Sequence, residues 1–123
     1  MKEKDLLNWI IACAERTGWL VKHVPAPMTA GRDGKWHGSP RAAGLPDLFM
    51  LHDDPPRMII AEVKGTGGKL SDRQREFLRA AQAVAEWSRD HTNYDDDRNL
   101  GVYAWTPADQ PIIEQMLKSK ILL

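Results

Sequence analysis

Two short segments of this chain carry residue types suited to phosphate chemistry. Gly44-Leu45-Pro46-Asp47 ends in a carboxylate, and Glu62-Val63-Lys64 adds a second carboxylate and an ammonium, with Glu62 lying 15 positions after Asp47. Two hard carboxylate oxygens, joined by the Val63 carbonyl and water, suit Mg2+ or Mn2+. Beside a phosphodiester such a set holds the cation, and Lys64 either lowers the pKa of an attacking water or neutralises charge building on the phosphoryl oxygens. Each segment alone is commonplace. An E-x-K triplet on a strand usually marks an exposed cross-strand ion pair, and Pro-Asp is ordinary turn chemistry. The surroundings of Glu62 argue for more. Glu62 and Lys64 interrupt an apolar run that begins Ile59-Ile60-Ala61, and a charge placed in a buried strand needs a compensating reason.

The elements that must position these groups follow from periodicity. Residues 47–51 and 58–64 read as two strands joined by the turn Asp53-Asp54-Pro55-Pro56, an antiparallel hairpin whose second strand is apolar enough to be central. Alternation along that strand sends Glu62 and Lys64 to one face and Val63 to the other. Pro46 lacks an N–H and stiffens the approach to Asp47, so the hairpin brings Asp47 within reach of an ion held by Glu62. Upstream, Leu6, Ile10, Cys13 and Leu7, Ile11, Ala14 recur at helical spacing, which predicts a helix over 3–16 ended by Gly18. Residues 19–23 read as a strand. Residues 24–44, with three prolines and four glycines, form a long loop, and such loops in compact domains are functional or disordered.

Downstream, Gly65-Thr66-Gly67-Gly68 breaks the hairpin. Ser71 and Gln74 make a capping-box pattern that opens a helix with a buried stripe of Phe77, Ala81 and Val84, running to about Trp87. Residues 88–99 are polar and acidic, a loop, and 101–105 a fourth strand. Thr106-Pro107 opens the last helix, where proline fits the first turn, with Ile112, Ile113, Met116 and Leu117 on its apolar side. The order α-β-β-β-α-β-α, with no repeat or internal boundary, predicts a single α/β domain over 1–123.

Length and composition agree. A chain of 123 residues, 42% apolar and 28% charged, is an ordinary globular domain able to bury a core without staples. The single cysteine, Cys13, excludes an internal disulfide and a cysteine-based zinc cluster, and its place on an apolar helix face reads as core. Nothing resembles a signal peptide, and no apolar run approaches the ~20 residues that span a bilayer, so a cytoplasmic protein is expected. Seventeen basic and seventeen acidic side chains cancel, so bulk charge does not announce nucleic acid. The charges are unevenly spread. Arg32, Lys35 and Arg41 face only Asp33 in their stretch, Lys69 and Arg73 follow the second motif, and the acidic excess falls at Asp90 and 95–97. The motif half is mildly basic, which would dock a phosphate backbone. Solvated loops and helix faces give the same pattern.

Gly44-Leu45-Pro46-Asp47, Glu62-Val63-Lys64 and Lys69-Leu70-Ser71-Asp72-Arg73-Gln74 together resemble the PD-(D/E)xK nuclease superfamily. They are most similar to its VRR-NUC branch, in the small stand-alone form found in phages and bacteria. The likeness covers nearly the whole chain, including the first helix, residues 18–21 and residues 102–107, and the three motifs in this order are far more specific than any one. The resemblance implies a restriction-endonuclease-like core, a mixed β-sheet flanked by helices. It implies Asp47 and Glu62 as metal ligands, Lys64 as the catalytic lysine, and two further site residues: a glutamine on the following helix, matched by Gln74, and a glutamate on the first helix, best matched by Glu3. Each of these two has a plain structural role as well, Gln74 in the capping box and Glu3 at the positive end of a helix dipole. The resemblance further implies a Mg2+-dependent endodeoxyribonuclease that Mn2+ also serves, leaving 5′-phosphate and 3′-hydroxyl ends. A homodimer acting on branched DNA such as Holliday junctions, in a bacterial cell and either host- or phage-encoded, completes that expectation. The rival is a module of the same fold that grips DNA structure without cutting; the intact Asp47, Glu62 and Lys64 set argues against it.

Other residues carry weaker signals. His23, His37, His52 and His91 are scattered without metal-ligand spacing. Gly65-Thr66-Gly67-Gly68-Lys69 is glycine-rich but lacks the P-loop pattern; it either admits DNA closely or simply turns the chain. Trp36 either stacks on an unpaired base or anchors its loop, while Trp9, Trp19, Trp87 and Trp105 are expected in the core or at an interface. The apolar end Ile121-Leu122-Leu123 belongs either to a dimer interface or to its own domain.

Overall fold

The computed structural model describes residues 1–24, 44–92 and 97–123. The elements are α1 (Glu3–Arg16), β1 (Leu20–His23), β2 (Leu48–Asp53), β3 (Pro56–Val63), α2 (Asp72–Thr92), β4 (Leu100–Trp105) and α3 (Gln110–Ser119), the order α-β-β-β-α-β-α expected from the pattern. The sheet runs β1-β2-β3-β4. β1 and β3 pair antiparallel with β2, and β4 runs parallel to β3, so the sheet is mixed with β3 inside it. Asp54 and Pro55 make the two-residue turn between Asp53 and Pro56, which sets Leu48 against Ala61. One step further along that register, Asp47 falls opposite Glu62.

One face of the sheet is dry. Leu48, Met50, Ile59, Ala61, Val63 and Trp105 meet Leu6, Ile10, Cys13 and Ala14 of α1 and Ile113, Met116 and Leu117 of α3. α1 ends in a two-bond turn: Gly18, at φ +91°, donates its N–H to Glu15, and Trp19 donates to Ala14. That geometry requires a left-handed residue just past the helix, which glycine adopts without a Cβ clash. Trp19 is buried and its indole donates to the Leu117 carbonyl at 3.0 Å, tying α1 to α3. α2 lies across the opposite face and packs on β4.

Several expectations are corrected. α2 continues to Thr92 instead of stopping near Trp87. The added turn is held by an i,i+4 pair, with the Trp87 and His91 rings stacked at 4.5 Å. Trp87 is therefore exposed on the helix surface, not in the core; Trp9 is half-buried, and Trp19 and Trp105 are buried. The buried residue of the α2 stripe is Ala85, while Val84 is exposed. Ile112 is likewise exposed on α3, and a 3-10 turn at Pro107–Asp109 precedes that helix. The chain end packs on its own domain: Leu122 is buried and bridges Arg98, and the Leu123 carbonyl accepts from the Tyr103 hydroxyl. Ile121 and the Leu123 side chain are exposed. Arg32, Lys35, Trp36, His37 and Arg41 lie outside the described residues.

Candidate metal centre

The centre forms where three element ends meet. Glu62 is the last but one residue of β3, Asp47 immediately precedes β2, and Glu3 opens α1. One carboxylate oxygen from each lies within 4.8 Å of the other two. Among the described residues these make the one acidic group of metal-binding dimensions. Strand alternation works as expected. Val63 is fully buried in the apolar layer, while Glu62 and Lys64 share the other face, with Lys64 Nζ 3.5 Å from Glu62 Oε1 and 3.8 Å from Glu3 Oε1.

Each side chain is aimed by a specific contact. Asp47 Oδ2 accepts the Val63 N–H at 2.8 Å, a bond from the partner strand that fixes the carboxylate plane and leaves Oδ1 for another partner. Gln74 does two things at once. Its Oε1 accepts the Ser71 N–H at 2.8 Å and its backbone N–H donates to Ser71 Oγ at 3.2 Å, completing the capping box at the start of α2. With Oε1 so engaged, the amide nitrogen points to the sheet and donates to Glu62 Oε1 at 3.0 Å. Glu62 Oε1 is thus served by Gln74 and Lys64. Its other oxygen, Oε2, is buried without a hydrogen-bond partner, alone in this among the buried side-chain polar atoms of the described residues.

An orphaned buried carboxylate oxygen is costly, and the cost shows as a raised pKa. Burial foremost, then Asp47, whose carboxylate accepts a hydrogen bond from the protonated form and repels the ionised one, push the Glu62 carboxyl up to about 8, while Lys64 opposes them. A divalent cation held by Glu62 would remove this cost. The donor set of hard oxygens fits Mg2+ or Mn2+.

The remaining candidates are more dispersed. Lys69 and Arg73 are exposed, Lys69 on the glycine turn and Arg73 in the first turn of α2. The backbone of Arg73 passes so close to Gly44, at φ +87°, that a Cβ there would lie 2.7 Å from the Arg73 Cβ. His52 bonds the Pro55 carbonyl and His91 the Trp87 carbonyl, both away from the acids. An open groove between α2 and β4, lined by Leu70, Arg75, Arg79, Val102 and Ala104, contains none of the clustered carboxylates. The Ser71–Gln74 capping box is present as the sequence pattern indicated, whereas sequence reasoning passed over the close backbone approaches at Gly44 and Gly65. The available signal was a glycine beginning one motif and another ending the next.

A mixed sheet with an acid cluster and one lysine at its strand ends defines a hydrolase-like arrangement for phosphate esters. The profile of the VRR-NUC domain matches residues 2–85 of the 123, and the chain belongs to that family. Membership makes it a nuclease-family protein, which implies hydrolysis with DNA as the substrate. No curated protein and no solved structure gives a match. No helix among the described residues is long and apolar enough to cross a membrane.

Proposed function

We propose that the chain, as one domain over 1–123, is a Mg2+-dependent endodeoxyribonuclease in which Asp47 and Glu62 hold the metal and Lys64 is the catalytic lysine. The observation that carries this reading is the buried Glu62 carboxylate, its Oε2 without a hydrogen-bond partner, in a cluster that also holds Asp47 and Glu3. Glu3 is the third carboxylate, and the Val63 carbonyl completes the protein donors. A divalent cation bound there supplies Lewis acidity toward a phosphoryl oxygen and a lowered water pKa. Gln74 orients Glu62, and the Val63 N–H orients Asp47. Lys64 sits between Glu62 and Glu3, where its ammonium would neutralise charge on the phosphoryl group during in-line attack by water. Lys69, Arg73 and the basic residues Arg32, Lys35 and Arg41 would contact the backbone of the DNA. Mn2+ would substitute for Mg2+.

Family resemblance supports the finer points: 5′-phosphate and 3′-hydroxyl products, a homodimer, branched DNA such as Holliday junctions as substrate, and a bacterial cytoplasmic setting. Two sites in a symmetric dimer would cut two strands symmetrically. The test is cleavage of junction, flap and linear duplex DNA by wild type, Asp47→Asn and Lys64→Ala, with Mg2+ and with chelator. Wild type should cut only with metal, junctions best, and each variant should lose about 100-fold or more. Absence of cutting under any metal refutes the nuclease reading, and full activity in Lys64→Ala refutes the role given to that lysine; binding without cutting would leave the non-cleaving module.

A further inference from the structure

Gly65 directly follows the charged motif and lies against the start of α1. A Cβ built on it would stand 2.7 Å from the Glu3 backbone nitrogen, 3.1 Å from the Met1 carbonyl oxygen and 3.2 Å from the Lys2 carbonyl carbon. All three are backbone atoms, so no side-chain rotation relieves the overlap. Gly65 is not among the positive-φ residues, so its backbone conformation suits any L-residue and only the close approach demands glycine. The next residue clamps the same contact: the Thr66 N–H donates to the Met1 carbonyl at 3.1 Å.

This contact decides where Glu3 goes. The Glu3 side chain is half exposed and meets Lys64 at 3.8 Å, so its carboxylate reaches Asp47 and Glu62 only because the backbone delivers it there. We propose that Gly65 is a positioning residue of the metal centre: its missing side chain admits the first turn of α1 to the end of β3 and so places Glu3 in the cluster. This rests on the metal reading given above.

The experiment is a Mn2+ titration, by electron paramagnetic resonance on the metal-free protein, of wild type, Gly65→Ala, Glu3→Gln and the double variant, with circular dichroism melts alongside. Gly65→Ala should weaken Mn2+ binding about tenfold, the scale of losing a group that orients a ligand. In the Glu3→Gln background the same change should cost little more, because the ligand it positions is already gone. A glycine with a merely structural role would instead lower the melting temperature and leave Mn2+ affinity unchanged, or its effect would add fully to that of Glu3→Gln; either result overturns the proposal. Should Gly65→Ala fail to fold, Glu3→Asp withdraws the carboxylate by one methylene on an unchanged backbone. Weaker Mn2+ binding then supports the proposal, and wild-type affinity overturns it. Wild type that binds no Mn2+ overturns the metal reading itself, and this inference with it; wild type that binds while Gly65→Ala binds equally overturns this inference alone.

Discussion

At the scale of the residue, Glu62 is the group on which the centre turns. Burial lifts its carboxyl to about 8, with Asp47 adding to the effect and Lys64 opposing it. The metal-free native state therefore keeps a proton that the unfolded chain releases near the ordinary 4.5. Between those values the native state binds more protons than the unfolded state, so its stability falls as pH rises. Urea unfolding of metal-free wild type at pH 5 and pH 8, beside Glu62→Gln, should show wild type losing stability over that window relative to the variant; parallel profiles would refute it. A cation must displace the same proton. Mn2+ affinity should accordingly rise up to about pH 8, and calorimetry at pH 7 in buffers of different ionisation enthalpy should detect proton release on binding, which Glu62→Gln abolishes.

At the scale of the element, two side chains connect helix ends to the rest of the fold. Gln74 caps α2 and bonds Glu62, so Gln74→Ala should cost about 1 kcal/mol in denaturant melts and weaken Mn2+ binding as well. Ser71→Ala, which removes only the hydroxyl acceptor of the cap, should show a similar stability loss with metal affinity largely kept. Lys120 ends α3 in the left-handed conformation at φ 63°. Its ammonium donates to the Thr17 carbonyl at 2.6 Å and the Leu117 carbonyl at 2.7 Å, meeting the carbonyl ends of α1 and α3 together. Desolvation lowers its pKa, yet the charge is well placed against two helix dipoles. Lys120→Ala should lose about 1–2 kcal/mol. Lys120→Gly should lose less, since glycine removes the left-handed strain; equal losses would show that the strain is negligible.

At the scale of the whole molecule, the centre joins α1, β2, β3 and α2, so filling it should stabilise the fold as a unit. Mn2+ at 100 times its Kd should add about 2.7 kcal/mol to unfolding stability, read as a shift in thermal or urea melts. Asp47→Asn should abolish that shift. A melt in which wild type and Asp47→Asn respond equally to Mn2+ would place the ion elsewhere. The proposed dimer is checked by light scattering on the purified protein, where a monomer at working concentration would remove the argument for symmetric strand cutting.

The sequence by itself determined the pairing at the heart of the site. Period-two alternation and the Asp53–Pro56 turn are local signals; they turn Val63 into the apolar layer and bring Asp47 near Glu62 in one hairpin, while the register itself was set by the folded two-residue turn. The motif order also identified the family that the chain belongs to. Tertiary structure decided what local patterns cannot encode. The position of α2 on β4 chose Ala85 over Val84 as the buried residue, because that choice depends on where a helix axis crosses a sheet. The polar end of α2 read as loop because it lacks an apolar period, yet it is helical, with Trp87 and His91 stacked one turn apart. Most of all, Glu3 comes within 4.8 Å of two carboxylates that are 44 and 59 positions away in the chain. That meeting depends on the backbone approach at Gly65, a distance set by packing between elements and by no repeat or spacing in the sequence.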